Sequence, residues 1–222
     1  MHMFNNVIPL LPEIWTSLLQ TFLMVGLSVG AAIILGIPLG VILYFTSKGQ
    51  ILEQNIVHRT LNGIVNIIRS FPFIILLVAL VPFTRTLLGT TIGPIAATIP
   101  LSVAAIPYFA RLVEQALREV PKGVIEAAEA MGASPLQIVW KVLLVEARSG
   151  LVLSLTVLTV SFISYSAMAG VVGGGGVGDL AIRFGYYRFQ TDVMVVTVLM
   201  LVILVQSVQF IGNRIAAKLD KR

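Results

Sequence analysis

Along the chain, long apolar runs alternate with short polar ones. The apolar runs cover about Ile14–Phe45, Leu61–Phe83, Pro94–Leu117, Gly150–Gly170 and Val193–Gly212. Each is of the length, roughly 20 residues, that a helix needs to cross the hydrocarbon of a bilayer. The pattern predicts an all-α, polytopic membrane protein with about five transmembrane helices, forming one membrane domain over residues 1–222. One stretch breaks the pattern between the third and fourth runs. "EAAEAMGASPLQIVWKVLLVEA", Glu126 to Ala147, is charged and helix-forming, with a glycine near its middle.

That stretch carries the punctuation of a helical hairpin. Gly132 stands where a left-handed cap after a helix belongs. Ser134 follows as an N-cap and Pro135 occupies the favoured first helical position. Ala127, Ala128 and Ala130 leave one surface of the first helix almost bare, with Glu126 and Glu129 beside it. A small-faced helix with fixed charges suits insertion into a cleft on another protein. A hairpin lying on the bilayer would instead need a face rich in Trp, Phe and Leu. The alanines fit that poorly, although Val139 and Trp140 suit a second helix facing membrane.

Composition sharpens the picture. Of 222 residues, 57% are hydrophobic and only 11% charged, and the mean hydropathy is +0.97. Soluble chains are about 25% charged, and the five apolar runs leave no room for a separate soluble domain. The formal charge of +5 raises a nucleic-acid partner, but its distribution has a simpler cause. With the first helix running outside to inside, 12 of the 15 basic residues fall on one side, leaving Arg85, Arg183 and Arg188 on the other. Basic residues are retained in the cytoplasm during insertion. The expectation is therefore an outside amino terminus, a cytoplasmic carboxyl terminus and no nucleic-acid partner. The opening "MHMFNNVIPLLPEIW" has no Lys or Arg before its apolar run, against the basic start of a cleaved signal peptide. Without cysteine, disulfides and thiolate sites are excluded.

The spans hold little chemistry. All ten acidic residues are expected at helix ends or in loops, Glu114 among them. Ion-coupled carriers keep ionisable groups near the bilayer centre and are built from similar halves. Neither feature is legible, so the energy for any active transport must come from elsewhere. Gly26 and Gly30, then Gly36 and Gly40, are spaced for close helix approach, in ordinary packing or in a dimer seam. A bend is expected near Pro38. Pro72 and Pro100 mark a bundle interior or a passage.

"VVGGGGVGD" formally satisfies G-x-G-x-x-G through Gly173, Gly175 and Gly178. It lacks the preceding strand of a dinucleotide site and the Gly-Lys-Ser/Thr of a phosphate loop. It reads as a flexible outer loop or re-entrant turn where backbone approaches something closely. His2 and His58 are isolated, so no metal site is expected. The serines of "FISYSAMAG" have no base in their span, and serve packing or the lining of a polar path. No catalytic residue emerges.

At the hairpin the sequence resembles the permease subunits of ATP-binding-cassette importers, whose signature is E-A-A, three residues, then Gly. Glu126, Ala127, Ala128 and Gly132 match it, and Val142, Leu143 and Leu144 match its apolar tail. Val145 departs where that family usually has proline, which bears on the local bend. "RSFPFIILLVALVPFTRTLLGTTIGP", "AAIPYFARLVEQAL", "SYSAMAGVVGGGGVGDLAIRFGYY" and "VILVQSVQFIGNRI" resemble the methionine-uptake permeases more narrowly. The resemblance implies a multi-pass protein of the bacterial inner membrane that imports methionine, in L and often D form, by alternating access. It implies a second copy of this chain, two cytoplasmic ATPase subunits, an extracytoplasmic methionine-binding (lipo)protein and surrounding lipid as partners. ATP and magnesium would sit in the ATPase, with no cofactor on this chain.

By resemblance, the coupling segment spans about 118–148, with Glu126, Ala127, Ala128, Glu129, Met131, Gly132, Ala133, Ser134 and Pro135 in the ATPase groove. Phe71, Pro72, Ser164, Tyr165, Ser166 and Met168 are the expected translocation path, although Phe71 and Met168 equally suit packing. The alternatives are an importer of the same build for another small amino acid or peptide, and a structural protein or passive pore.

Overall fold

The computed structural model describes residues 6–220, and among them it contains helices and turns without a strand. His2, Lys221 and Arg222 lie outside the described residues. The first apolar run forms α1 (Val7–Ala31), a π-helical segment (Ala32–Gly36) and α2 (Ile37–Thr46), together 40 residues. The π segment ends two residues before Pro38. A proline cannot donate to the carbonyl four residues back, and a wider turn is one way for a helix to absorb the missing bond. The bend expected near Pro38 is thus expressed as a local change of winding.

The expected second span, Leu61–Phe83, is not one helix. It divides into the end of α3 (Asn55–Ser70), α4 (Phe73–Ala79) and the start of α5 (Val81–Leu88). Pro72 is the cause of the first break, because its ring pushes Phe71 away from helical angles. Pro72 itself takes φ −56° and ψ 132°, so it ends a helix instead of kinking one. The other runs are continuous in α6 (Pro94–Arg118), α10 (Arg148–Ala169) and α12 (Thr191–Leu219). Among the described residues, four helices are long and apolar enough to cross a membrane, or five if α3 and α4 count as one broken span. The most apolar window of α12 has mean hydropathy 2.4 and is only 6% buried. Such a surface is stable against lipid or another apolar chain, not against water.

The chain divides into two compact units. The first comprises Met1–Gly30, Phe71–Ala104 and Thr159–Gln209. Its core includes Ile14, Leu180, Phe184 and Val193, and Phe73 stacks on Tyr165 with ring centroids 4.6 Å apart. The second comprises Ala31–Ser70, Ala105–Leu158 and Phe210–Arg222. There Leu43, Val65 and Ala110 form a buried cluster. Gly36, at the end of the π segment, and Gly40 of α2 both pack onto α6: a Cβ on Gly40 would stand 2.6 Å from the Ala110 carbonyl oxygen and 2.7 Å from Val113 Cβ. Gly26 and Gly30 have no such neighbour within 4 Å. Among the described residues, one of the two glycine pairs is consumed by packing.

Candidate functional site

The charged stretch folds as a helical hairpin. Its first arm is α7 (Lys122–Ala130). Gly132 has φ +78°, a conformation that costs other residues about 1–2 kcal/mol. Around it the Ala133 N–H donates to the Ala128 carbonyl at 3.1 Å and the Gly132 N–H to the Glu129 carbonyl at 2.8 Å. These two bonds form the Schellman arrangement that satisfies carbonyls left over at a helix end. The spacing from the two alanines to the glycine is therefore the spacing of a helix stop. Ser134 then caps α8 (Pro135–Gln137): its Oγ accepts from Gln137 N–H at 3.4 Å, and Gln137 Oε1 accepts from Ser134 N–H at 2.8 Å. Pro135 occupies the first turn. The second arm continues through a π-helical segment (Ile138–Leu143) and α9 (Leu144–Glu146) before α10. The wide turn stands just upstream of Val145, where a proline was missed.

The hairpin has a buried side and a bare side. Ile125, Ala128 and Ile138 are buried, so Ala128 turns inward. Glu126, Ala127, Glu129, Ala130, Gly132, Ser134 and Pro135 are exposed, and Ala133 is half-buried. Met131 is 82% exposed, well beyond what a helix end in a sealed core would tolerate. Beside α7, the turn at Gly49–Ile51 and the side chains of Lys122, Glu126 and Glu129 line an open groove of about 280 Å³.

The path candidates all fall in the first unit. Phe71 and Pro72 are exposed at the break between α3 and α4, Ser164 and Met168 are exposed on α10, and Tyr165 is half-buried under Phe73. Ser166 is buried and its hydroxyl donates to the Ile163 carbonyl at 2.7 Å. Phe73, which sequence reasoning passed over, fixes Tyr165, while Phe71 is outward-facing.

The glycine-rich stretch is a folded-back turn. Gly170–Gly174 winds as a π-turn until Val172 and Gly173 leave helical angles. The chain then re-enters as α11 (Gly176–Leu180) and a π-helical segment (Ala181–Tyr186). The turn is pinned to α1: Gly176 N–H donates to Gln20 Oε1 at 2.8 Å and Val177 N–H to Thr21 Oγ at 3.0 Å. Of the two roles the sequence left open, close backbone approach is the one realised. Arg183 adds ion pairs to Glu13 at 2.9 Å and Asp179 at 2.7 Å. Partial burial works against its charge, but hydrogen bonds to Asp179 and Glu13 outweigh this and hold its pKa above the ordinary arginine value.

Sequence reasoning missed one cluster. Glu114, assigned to a helix end, is buried in α6 with ion pairs to Arg111 at 2.6 Å and Arg118 at 2.7 Å. The three- and four-residue spacings were legible as one helix face, but burial of that face was not.

The family described as binding-protein-dependent transport system inner membrane component matches residues 32–222. The chain belongs to that family. It is accordingly a multi-pass inner-membrane component of a bacterial transport system, not an enzyme. A probable D-methionine transport system permease protein MetI of Vibrio cholerae is 51% identical over 207 residues, 93% of this chain and 92% of that protein. The D-methionine transport system permease protein MetI of Escherichia coli is 51% identical over 157 residues, 71% of this chain and 70% of that one. Among solved structures, a chain of the MetNI methionine ABC transporter in inward-facing conformations superposes with a TM-score of 0.94 at 46% identity, over 96% of this chain and 99% of that one. A chain of an amino acid ABC transporter solved with histidines has a TM-score of 0.79 at 16% identity, over 97% of this chain and 98% of that one. The last likeness concerns the fold alone.

Proposed function

We propose that this chain is the membrane-spanning permease subunit of an ATP-driven importer of methionine. The observation that carries the reading is the 46% identity and 0.94 TM-score to a chain of a methionine ABC transporter over nearly its whole length. The D-methionine permease names of its relatives favour the same substrate. In this reading residues 1–222 are one transmembrane domain that works as a homodimer on two cytoplasmic ATPase subunits. ATP and magnesium belong to those subunits. An extracytoplasmic methionine-binding (lipo)protein delivers the substrate, and lipid covers the apolar flank of α12.

The amino terminus is outside and the carboxyl terminus cytoplasmic, following the excess of basic residues on one side. The hairpin then points into the cytoplasm, with Glu126, Ala127, Glu129, Met131, Gly132, Ala133, Ser134 and Pro135 facing the ATPase. Ala128 supports them from behind. Closure of the ATPases on ATP moves the hairpins, and the spans follow between inward- and outward-open states. Ser164, Tyr165 and Met168, with Phe71 and Pro72, line the path, and Ser166 stands behind them. A zwitterion with a thioether tail needs few fixed charges along such a path.

The test is uptake by the chain co-reconstituted with its ATPase and loaded binding protein. Glu126→Arg is expected to abolish methionine uptake while the chain still inserts. Undiminished uptake in that variant would remove the coupling role. Indifference of wild-type uptake to methionine in an amino-acid competition panel would assign another substrate. Flux that ignores ATP depletion would leave a passive pore.

A further inference from the structure

The hairpin hangs from α6 by only Glu119–Pro121, and the last turns of α6 carry a polar network with no part in the mechanism so far. Glu114 is 2% exposed. Its Oε2 accepts from Arg111 Nη1 at 2.6 Å, and its Oε1 accepts from Arg118 Nη2 at 2.7 Å and Nε at 3.3 Å. Arg111 uses its second terminal nitrogen on another helix. Nη2 donates to Asn62 Oδ1 at 2.5 Å and to Asn66 Oδ1 at 2.9 Å, both on α3. One turn earlier on α3, His58 Nδ1 lies 3.1 Å from the Leu43 carbonyl oxygen of α2. At its other end Arg69 stands over the Tyr108 ring of α6 at 5.8 Å. His58, Asn62 and Asn66 share one helix face at four-residue spacing. A polar seam thus joins α3 to α2 and α6.

Such a seam is a poor way to gain stability. A buried carboxylate and its guanidinium partners give up hydration that their mutual attraction barely recovers. Arginine's planar donors, however, fix direction as well as distance. An apolar contact between α3 and α6 would hold them together yet let them slide. A carboxylate bridging two arginines, one of them forked onto two asparagines, holds them in one register.

We propose that Glu114 is a positioning residue for energy coupling: it holds Arg111 on α3, so that displacement of the hairpin moves α3 and the end of α6 as one piece. The inference rests on the reading of the hairpin as the ATPase-docking element. Its consequence follows from chain order. α3 ends at Ser70, directly before Phe71 and Pro72, so carrying α3 along delivers the motion to that break. Without the lock, motion of α7 is absorbed at Glu119–Pro121, and ATP is hydrolysed with little transport.

The test uses the full complex in proteoliposomes, with methionine uptake and phosphate release measured in the same vesicles. The variants are Glu114→Gln and, separately, Asn62→Ala with Asn66→Ala. The asparagine pair leaves Glu114 between its two arginines and cuts only the link to α3. Both are expected to retain the ATPase and its hydrolysis while ATP consumed per methionine rises at least about fivefold, the low end of ordinary coupling factors. Uptake and hydrolysis that fall in parallel, with that ratio unchanged, would show a merely structural role and overturn the proposal. If Glu114→Gln fails to insert, the asparagine variant decides alone by the same ratio. Glu126→Arg in the same vesicles separates the two ideas. Full uptake in that variant sinks the docking reading, whereas lost uptake with an unchanged ratio in the Glu114 and asparagine variants sinks only the lock.

Discussion

Gly132 and Gly176 separate two costs that a glycine substitution usually mixes. Both have positive φ, +78° and +85°. A Cβ on Gly132 would meet nothing within 4 Å, whereas one on Gly176 would stand 2.8 Å from both Met24 Cε and Thr21 Oγ. Gly132→Ala therefore incurs the left-handed conformation alone, about 1–2 kcal/mol. Gly176→Ala incurs the same plus overpacking of about 1–3 kcal/mol, for a total of about 2–5 kcal/mol. Met24 is fully buried and has little room to withdraw its methyl end. The displaced Thr21 hydroxyl would also weaken its bond from Val177 N–H. The assay is denaturation of the purified chain in mixed micelles, followed by helical circular dichroism. The expected result is a clearly larger loss for Gly176→Ala, with the excess falling within the overpacking range. Equal losses at the two sites would refute the collision argument. No loss at Gly176 would refute the pinning of the glycine turn onto α1.

Thr21→Val keeps the shape of the side chain but removes the acceptor of Val177 N–H. An orphaned buried donor costs about 1–3 kcal/mol, and an unchanged midpoint in the same titration would contradict the bond. Gly40→Ala is expected to destabilise the isolated chain, since contact with the Ala110 backbone outweighs the gain of about 1 kcal/mol in helix propensity. Gly26→Ala, with nothing within 4 Å, should show only that gain. A reversed order of the two variants in the titration would contradict the assignment of Gly40 to α2–α6 packing.

Much of this protein was fixed by local chemistry. The apolar runs dictated helices in lipid, because backbone polar groups there must be satisfied within the segment. The hairpin was equally readable: Gly132, Ser134 and Pro135 each act on their own few residues, and the observed turn uses all three. The division of Leu61–Phe83 was within reach, since the residue before a proline resists helical angles. An apolar run hid it, because hydropathy is blind to a break of two residues. Which glycines are crowded, which alanine of Glu126–Ala130 turns inward, and where Arg111 spends its donors were decided only by tertiary structure. The crowded glycines and Arg111 depend on neighbours far away in sequence: Ala110 for Gly40, Thr21 for Gly176, Asn62 for Arg111. A sequence records what a side chain offers, whereas contact depends on which other helix stands opposite, and in a membrane that choice rests on shape and hydrogen bonding more than on hydrophobicity.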